Sequence, residues 1–211
     1  MRSLINVILL FFLYWAGFSL VGIVPVFWEC SIILSNHIGR YVFIIPFLYF
    51  LFRKTGIAVF SKEQENTVSP LFRLLAFGIS LYVLACLNSF FFNPSSLMGE
   101  NTELSVAEII AINFSIVIMC PITEELFFRR WMISYLEKAN VKPLYIICLT
   151  TLLFAIPHTD TTIWYFRFDT IIFGIVLYHV FVKYRDVRYC IFVHFVLNLT
   201  STIVHIVSQY L

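Results

Sequence analysis

Six polar residues in the C-terminal half of this 211-residue chain have types and spacing suited to hydrolysis: Glu124, Glu125, Arg129, His158, His194 and Asn198. A carboxylate beside an imidazole can orient and deprotonate a water when a dry setting tunes both groups. An imidazole and a carboxamide on one helical face can donate hydrogen bonds to the oxyanion that forms as that water attacks a carbonyl. The combination would cleave an amide without a covalent intermediate. A metal alternative stays open, with Glu124, His158 and His194 as zinc ligands. The chain has no HExxH segment, so such a site would draw on three helices. Ser and Thr are frequent, but none sits in a GxSxG elbow, and a serine nucleophile has little support.

These groups sit in a very apolar chain. It is 61% hydrophobic and 12% charged, with a mean hydropathy of +0.91, against about 25% charged residues in a soluble domain. An integral membrane protein is expected, and 24 Phe and 11 Tyr supply apolar and interfacial aromatic surface. The formal charge of +2, without a basic tail or arm, is too small to suggest nucleic acid, and no such partner is expected. The lipid bilayer and a peptide or membrane-protein substrate are the expected partners. Five cysteines, Cys30, Cys86, Cys120, Cys148 and Cys190, show no CxxC spacing and read as small buried hydrophobes.

Each polar residue also has a plainer reading. Glu125 and Arg129 are spaced i, i+4 and can neutralise each other as a structural ion pair. Glu124 is one position off that geometry and can face a cavity. His158 alone could be a hydrogen-bonded helix-end histidine. His194 and Asn198 alone could join helices by hydrogen bonds. The joint arrangement favours a functional site, because ionised groups at bilayer depth are costly unless paired or wet.

The elements that must position them are helices. About seven spans (six to eight) are expected near 4–28, 33–52, 70–92, 106–123, 143–157, 169–183 and 189–209. The fold class is all-α, a polytopic transmembrane helical bundle. The first apolar stretch is too long for a signal-peptide core and reads as a retained span. With the N-terminus cytoplasmic, twelve of the fourteen Lys and Arg residues face the cytoplasm, leaving Arg40 and Arg167 outside. Residues 1–105 form N-terminal spans without a motif, and 106–211 a helical core that carries the polar residues.

Depth ties these residues together. Asn140 to Pro143 reads as a turn between helices, with Asn as a C-cap and Pro opening the next helix. Glu124 and His158 each lie seventeen residues from Val141, so in a helical hairpin both would stand roughly 25 Å from the turn. His194 and Asn198 share a face and lie at about 8 and 14 Å from a cytoplasmic entry near Tyr189.

At these residues the chain resembles the CAAX prenyl protease and bacteriocin-processing family of intramembrane proteases (CPBP, also called Abi). Glu124, Glu125 and Arg129 match its EExxxR motif, Phe154 and His158 its FxxxH, and His194 and Asn198 its HxxxN. The resemblance covers about 107–200. It implies an endopeptidase in which Glu124 activates water, His158 assists, His194 and Asn198 form the oxyanion site, and Glu125 with Arg129 supports them. The preferred chemistry requires no cofactor, with zinc the alternative. Arg130 departs from the family pattern, since many relatives have Gly there. The resemblance further implies a bacterial membrane protein with a role in peptide maturation or bacteriocin self-immunity. The depths of these residues and the Lys and Arg distribution place the expected site in one layer opening to the cytoplasmic side.

Two other readings come from different classes. One is a non-catalytic membrane scaffold or immunity protein that binds a peptide or partner protein. The other is a small transporter with these carboxylates as a proton relay; it would need a polar path through the outer half, where little beyond Asp160, Arg167 and Asp169 is available.

Overall fold

The computed structural model describes residues 2–20, 39–60, 105–158 and 168–210, together with positions 75, 79, 80 and 83. Among the described residues the regular structure is entirely helical. The helices are α1 (Arg2–Leu20), α2 (Arg40–Thr55), α3 (Val106–Lys138), α4 (Pro143–Ala155), α5 (Phe168–Tyr184) and α6 (Val187–Tyr210). A 3-10 turn, Ile156–His158, extends α4. These helices occupy the places of six of the expected spans. The expected span at 70–92 lies outside the described residues apart from the four scattered positions, which are helical.

By length and composition, Val106–Lys138 and Val187–Val204 can each cross a membrane. The helix faces carry the lipid signature more broadly. In α2, Tyr41, Ile44, Leu48, Leu51 and Phe52 are buried, while Val42, Ile45 and Tyr49 on the other side are exposed. In α1, Val7, Phe11 and Tyr14 are buried and Leu9, Phe12 and Leu13 exposed. A helix that is apolar on both its packed and its open face suits a hydrocarbon solvent, not water. The chain is an integral membrane protein.

The span expected near 106–123 belongs to a helix that continues to Lys138, as the helical hairpin about Val141 requires. Ser105 starts it with a capping box, its side chain accepting from the Glu108 amide while the Glu108 carboxylate accepts from the Ser105 amide at 2.9 Å. Two segments of α3, Ser115–Met119 and Leu126–Ile133, are π-helical. The first has a local cause. Pro121 has no amide hydrogen and its ring crowds the carbonyl four residues back. A widened turn, in which the Cys120 amide donates to the Ser115 carbonyl, relieves that crowding.

At its far end α3 closes as a Schellman turn. Asn140 takes the left-handed conformation with φ 56°. Its amide donates to the Glu137 carbonyl at 2.9 Å, and the Val141 amide donates to the Leu136 carbonyl at 3.1 Å. Pro143 then opens α4. The turn read from the sequence at Asn140 to Pro143 is therefore formed.

The chain divides into two compact units at this turn. The first contains α1, α2 and α3; the second contains α4, α5 and α6. The N-terminal helices, which carry no motif, thus pack with the helix that bears the glutamates. Tyr14 of α1 stacks on Phe127 at 4.2 Å between ring centroids, and Phe127 stacks in turn on Trp131. Arg130 donates through Nε to the Ala58 carbonyl at 2.6 Å, and Lys138 through Nζ to the carbonyls of Thr55 and Gly56. In the second unit, α4 and α5 meet at Gly174, where a Cβ would stand 3.1 Å from Cγ2 of Thr151. Only the missing side chain permits that approach.

Candidate active site

The glutamates lie in a single α-helical turn, Cys120–Glu125, between the two π segments of α3. Adjacent positions on a helix point about 100° apart, so the two carboxylates have different neighbours. Glu125 is fully buried and forms an ion pair with Arg129, Oε2 to Nε at 3.2 Å. Both side chains are essentially without solvent exposure. The i, i+4 pair expected from the sequence is formed.

Glu124 is buried as well, at 7% exposure, but is bound differently. Its Oε1 accepts a hydrogen bond from Sγ of Cys120 at 2.7 Å. Its Oε2 is buried with no hydrogen-bond partner among the described residues. The surroundings come from the N-terminal helices. Tyr14 and Tyr41 both lie within the electrostatic reach of Glu124 and Cys120, with Thr123 beside the Tyr14 hydroxyl. The Tyr41 hydroxyl meets Oγ of Ser115 at 3.0 Å.

The second unit holds the imidazoles. The end of α4 explains the position of His158. Pro157 cannot donate a backbone hydrogen bond, so the helix tightens into the Ile156–His158 turn. The carbonyl of Phe154, near the helix end, is met by Nδ1 of His158 at 2.8 Å. The Phe154 ring lies 5.0 Å from that of His158 and 6.1 Å from that of His194. Phe173 from α5 packs edge-on against His194 at 5.0 Å. His194 is buried, and Asn198 follows four residues later on the same face of α6. Phe154 is thus the common wall of both histidines.

The structure therefore brings Glu124, Glu125 and Arg129 together in the first unit. In the second it brings His158 and His194 against a shared phenylalanine. Within neither unit do three described His, Cys, Asp or Glu side chains gather as a metal-binding group.

These motif segments are also what a family comparison finds. Residues 106–200 match the model of the Rce1-like family, described as type II CAAX prenyl endopeptidases. The segment is similar to that family. The match agrees with the resemblance carried by the EExxxR, FxxxH and HxxxN spacings, and the family is one of peptidases. No curated protein and no solved structure matches the chain.

Four contributors escape the motif reading. Cys120, expected to be a buried hydrophobe, is half-buried and bonded to Glu124; its i, i+4 spacing was the available signal. Cys148 is exposed, and of the described cysteines Cys190 alone is fully buried. Tyr14, Tyr41 and Phe173 approach from other helices, and no spacing in the sequence marks them.

Proposed function

We propose that the chain is an intramembrane endopeptidase that cleaves a peptide or membrane-protein substrate with an activated water. The observation that carries this reading is the unequal partnering of the two glutamates. Glu125 is neutralised by Arg129, whereas Glu124 keeps a buried carboxylate oxygen, Oε2, without a hydrogen-bond partner among the described residues. A carboxylate in that condition suits a general base.

The other roles follow from the side chains. Since Nδ1 of His158 faces a carbonyl, it carries the proton and donates. In the neutral ring Nε2 then has the lone pair, and can accept a proton from water or pass one to the leaving amine. His194 and Asn198 are donors for the oxyanion of the tetrahedral intermediate. No metal is needed for this chemistry. Zinc held by Glu124, His158 and His194 is the rival, and chelation of active enzyme separates the two. The cytoplasmic location of the N-terminus and of the active-site opening belong to the proposal, supported by the distribution of Lys and Arg. A bacterial role in peptide maturation or bacteriocin self-immunity completes it.

The test uses the purified protein in lipid nanodiscs with a farnesylated CAAX peptide and an internally quenched peptide library. Glu124→Ala and His158→Ala are expected to abolish cleavage while the protein still inserts and folds. Turnover retained by a folded Glu124→Ala variant would overturn the reading. Loss of activity on chelation, restored by zinc, would replace the metal-free mechanism by a zinc-dependent one.

A further inference from the structure

Cys120 precedes Glu124 by one helical turn, and its thiol is 2.7 Å from Oε1. The neighbouring polar groups have other bonds. The Thr123 hydroxyl donates to the Met119 carbonyl at 2.8 Å, the Tyr41 hydroxyl engages Ser115, and Arg129 pairs with Glu125. The thiol therefore supplies the hydrogen bond that Glu124 accepts in this unit. The terminal torsion of a glutamate is soft and roughly two-fold, so packing alone sets the tilt of the carboxylate weakly. A donor one turn away, fixed on the same short helical segment, sets it firmly.

We propose that Cys120 is a positioning residue for Glu124. Its thiol holds Oε1 and thereby aims Oε2 at the water to be activated. The inference rests on the reading of Glu124 as the base. A thiol is a weak donor; it can fix one oxygen while drawing less charge from the carboxylate than a hydroxyl would.

Two measurements test it, and the first needs no substrate. Hydrogen bonding lowers the S–H stretching frequency, and a difference infrared spectrum of wild type against Cys120→Ser isolates the Cys120 band from those of the other cysteines. That band is expected to move to higher frequency in Glu124→Ala. Glu124→Gln, a gentler change for folding, should move it in the same direction by less. A band unmoved in both variants would overturn the proposal.

The second measurement is turnover of whichever probe the wild type cleaves, the farnesylated CAAX peptide or a library peptide. Cys120→Ala is expected to lower kcat about tenfold with KM within about twofold, the size of one weak charge-assisted hydrogen bond. Cys120→Ser, which restores a donor, should return kcat to within about threefold of wild type. Unchanged kcat in Cys120→Ala would overturn positioning even if the band had moved. So would an equal loss in the Ala and Ser variants. Full activity in Glu124→Ala would instead overturn the reading of Glu124 as the base and leave the thiol–carboxylate bond standing.

Discussion

The backbone carbonyl of Phe154 lies 2.8 Å from Nδ1 of His158, and a carbonyl can only accept. The bond therefore selects one neutral tautomer, with hydrogen on Nδ1 and the lone pair on Nε2. It forms because Pro157 ends the regular helix and leaves the last carbonyls of α4 in need of donors.

That tautomer is the first prediction. Nitrogen NMR of the protein with labelled histidine should show His158, identified by its loss in His158→Gln, as the Nδ1–H form when neutral. A neutral His158 protonated on Nε2 would contradict the assigned role. Phe154→Leu preserves the carbonyl but removes the ring shared by both histidines. It should therefore leave the tautomer unchanged while lowering kcat by about tenfold, the scale of a disturbed catalytic geometry.

The buried pair of Glu125 and Arg129 gives the second. Removing one partner of a buried ion pair strands the other, at a cost of about 3–5 kcal/mol. Arg129→Met is thus expected to reduce thermal stability in detergent sharply. The double variant Glu125→Gln, Arg129→Met should recover much of the loss, because no uncompensated charge is left. Additive losses in a thermal-shift series would show that the two side chains do not act as a pair.

How much of this was legible in the sequence depended on whether the information was local. The Asn140 to Pro143 turn, the Glu125–Arg129 pair and the helical setting of the polar residues all follow from spacings of four residues or fewer, where helix geometry dictates contact. The continuation of α3 to Lys138 was legible from the hairpin about Val141 but left the span's end soft, because EELFFRR brings four charges into what hydropathy treats as that end. Helix propensity and the burial of Glu125 against Arg129 carry the rod through it. The placing of Tyr14 on Phe127 and of Phe173 on His194 was not legible, since both are tertiary contacts between uniformly apolar helices. In such helices the apolar pattern does not mark which face packs inward.

Arg130 supplies the third prediction. It stands where many members of the resembled family carry Gly, and here its Nε donates to the carbonyl of Ala58 beyond the end of α2. A hydrogen bond from a charged donor contributes about 1.5–3 kcal/mol, reduced by the partial exposure of this side chain. Arg130→Ala should therefore lower thermal stability modestly, by about 1 kcal/mol, and leave peptide cleavage intact. A large loss of kcat without loss of stability would place Arg130 in the catalytic machinery.

The last prediction concerns Gly174, whose helix approaches α4 so closely that an added Cβ would meet Cγ2 of Thr151 at 3.1 Å and its Cα at 3.4 Å. Thr is branched at Cβ and cannot swing aside freely, so the helices themselves must part by a few tenths of an ångström. Overpacking of this kind costs roughly 1–3 kcal/mol. Because Phe173 is the adjacent residue and packs on His194, the displacement reaches an imidazole as well as the helix contact. Gly174→Ala should lower both thermal stability and kcat. Trimming the opposing side chain, as in Gly174→Ala with Thr151→Ser, should restore part of both by removing Cγ2. If the double variant is no better than the single one, the close approach at Gly174 does not set the spacing of these two helices.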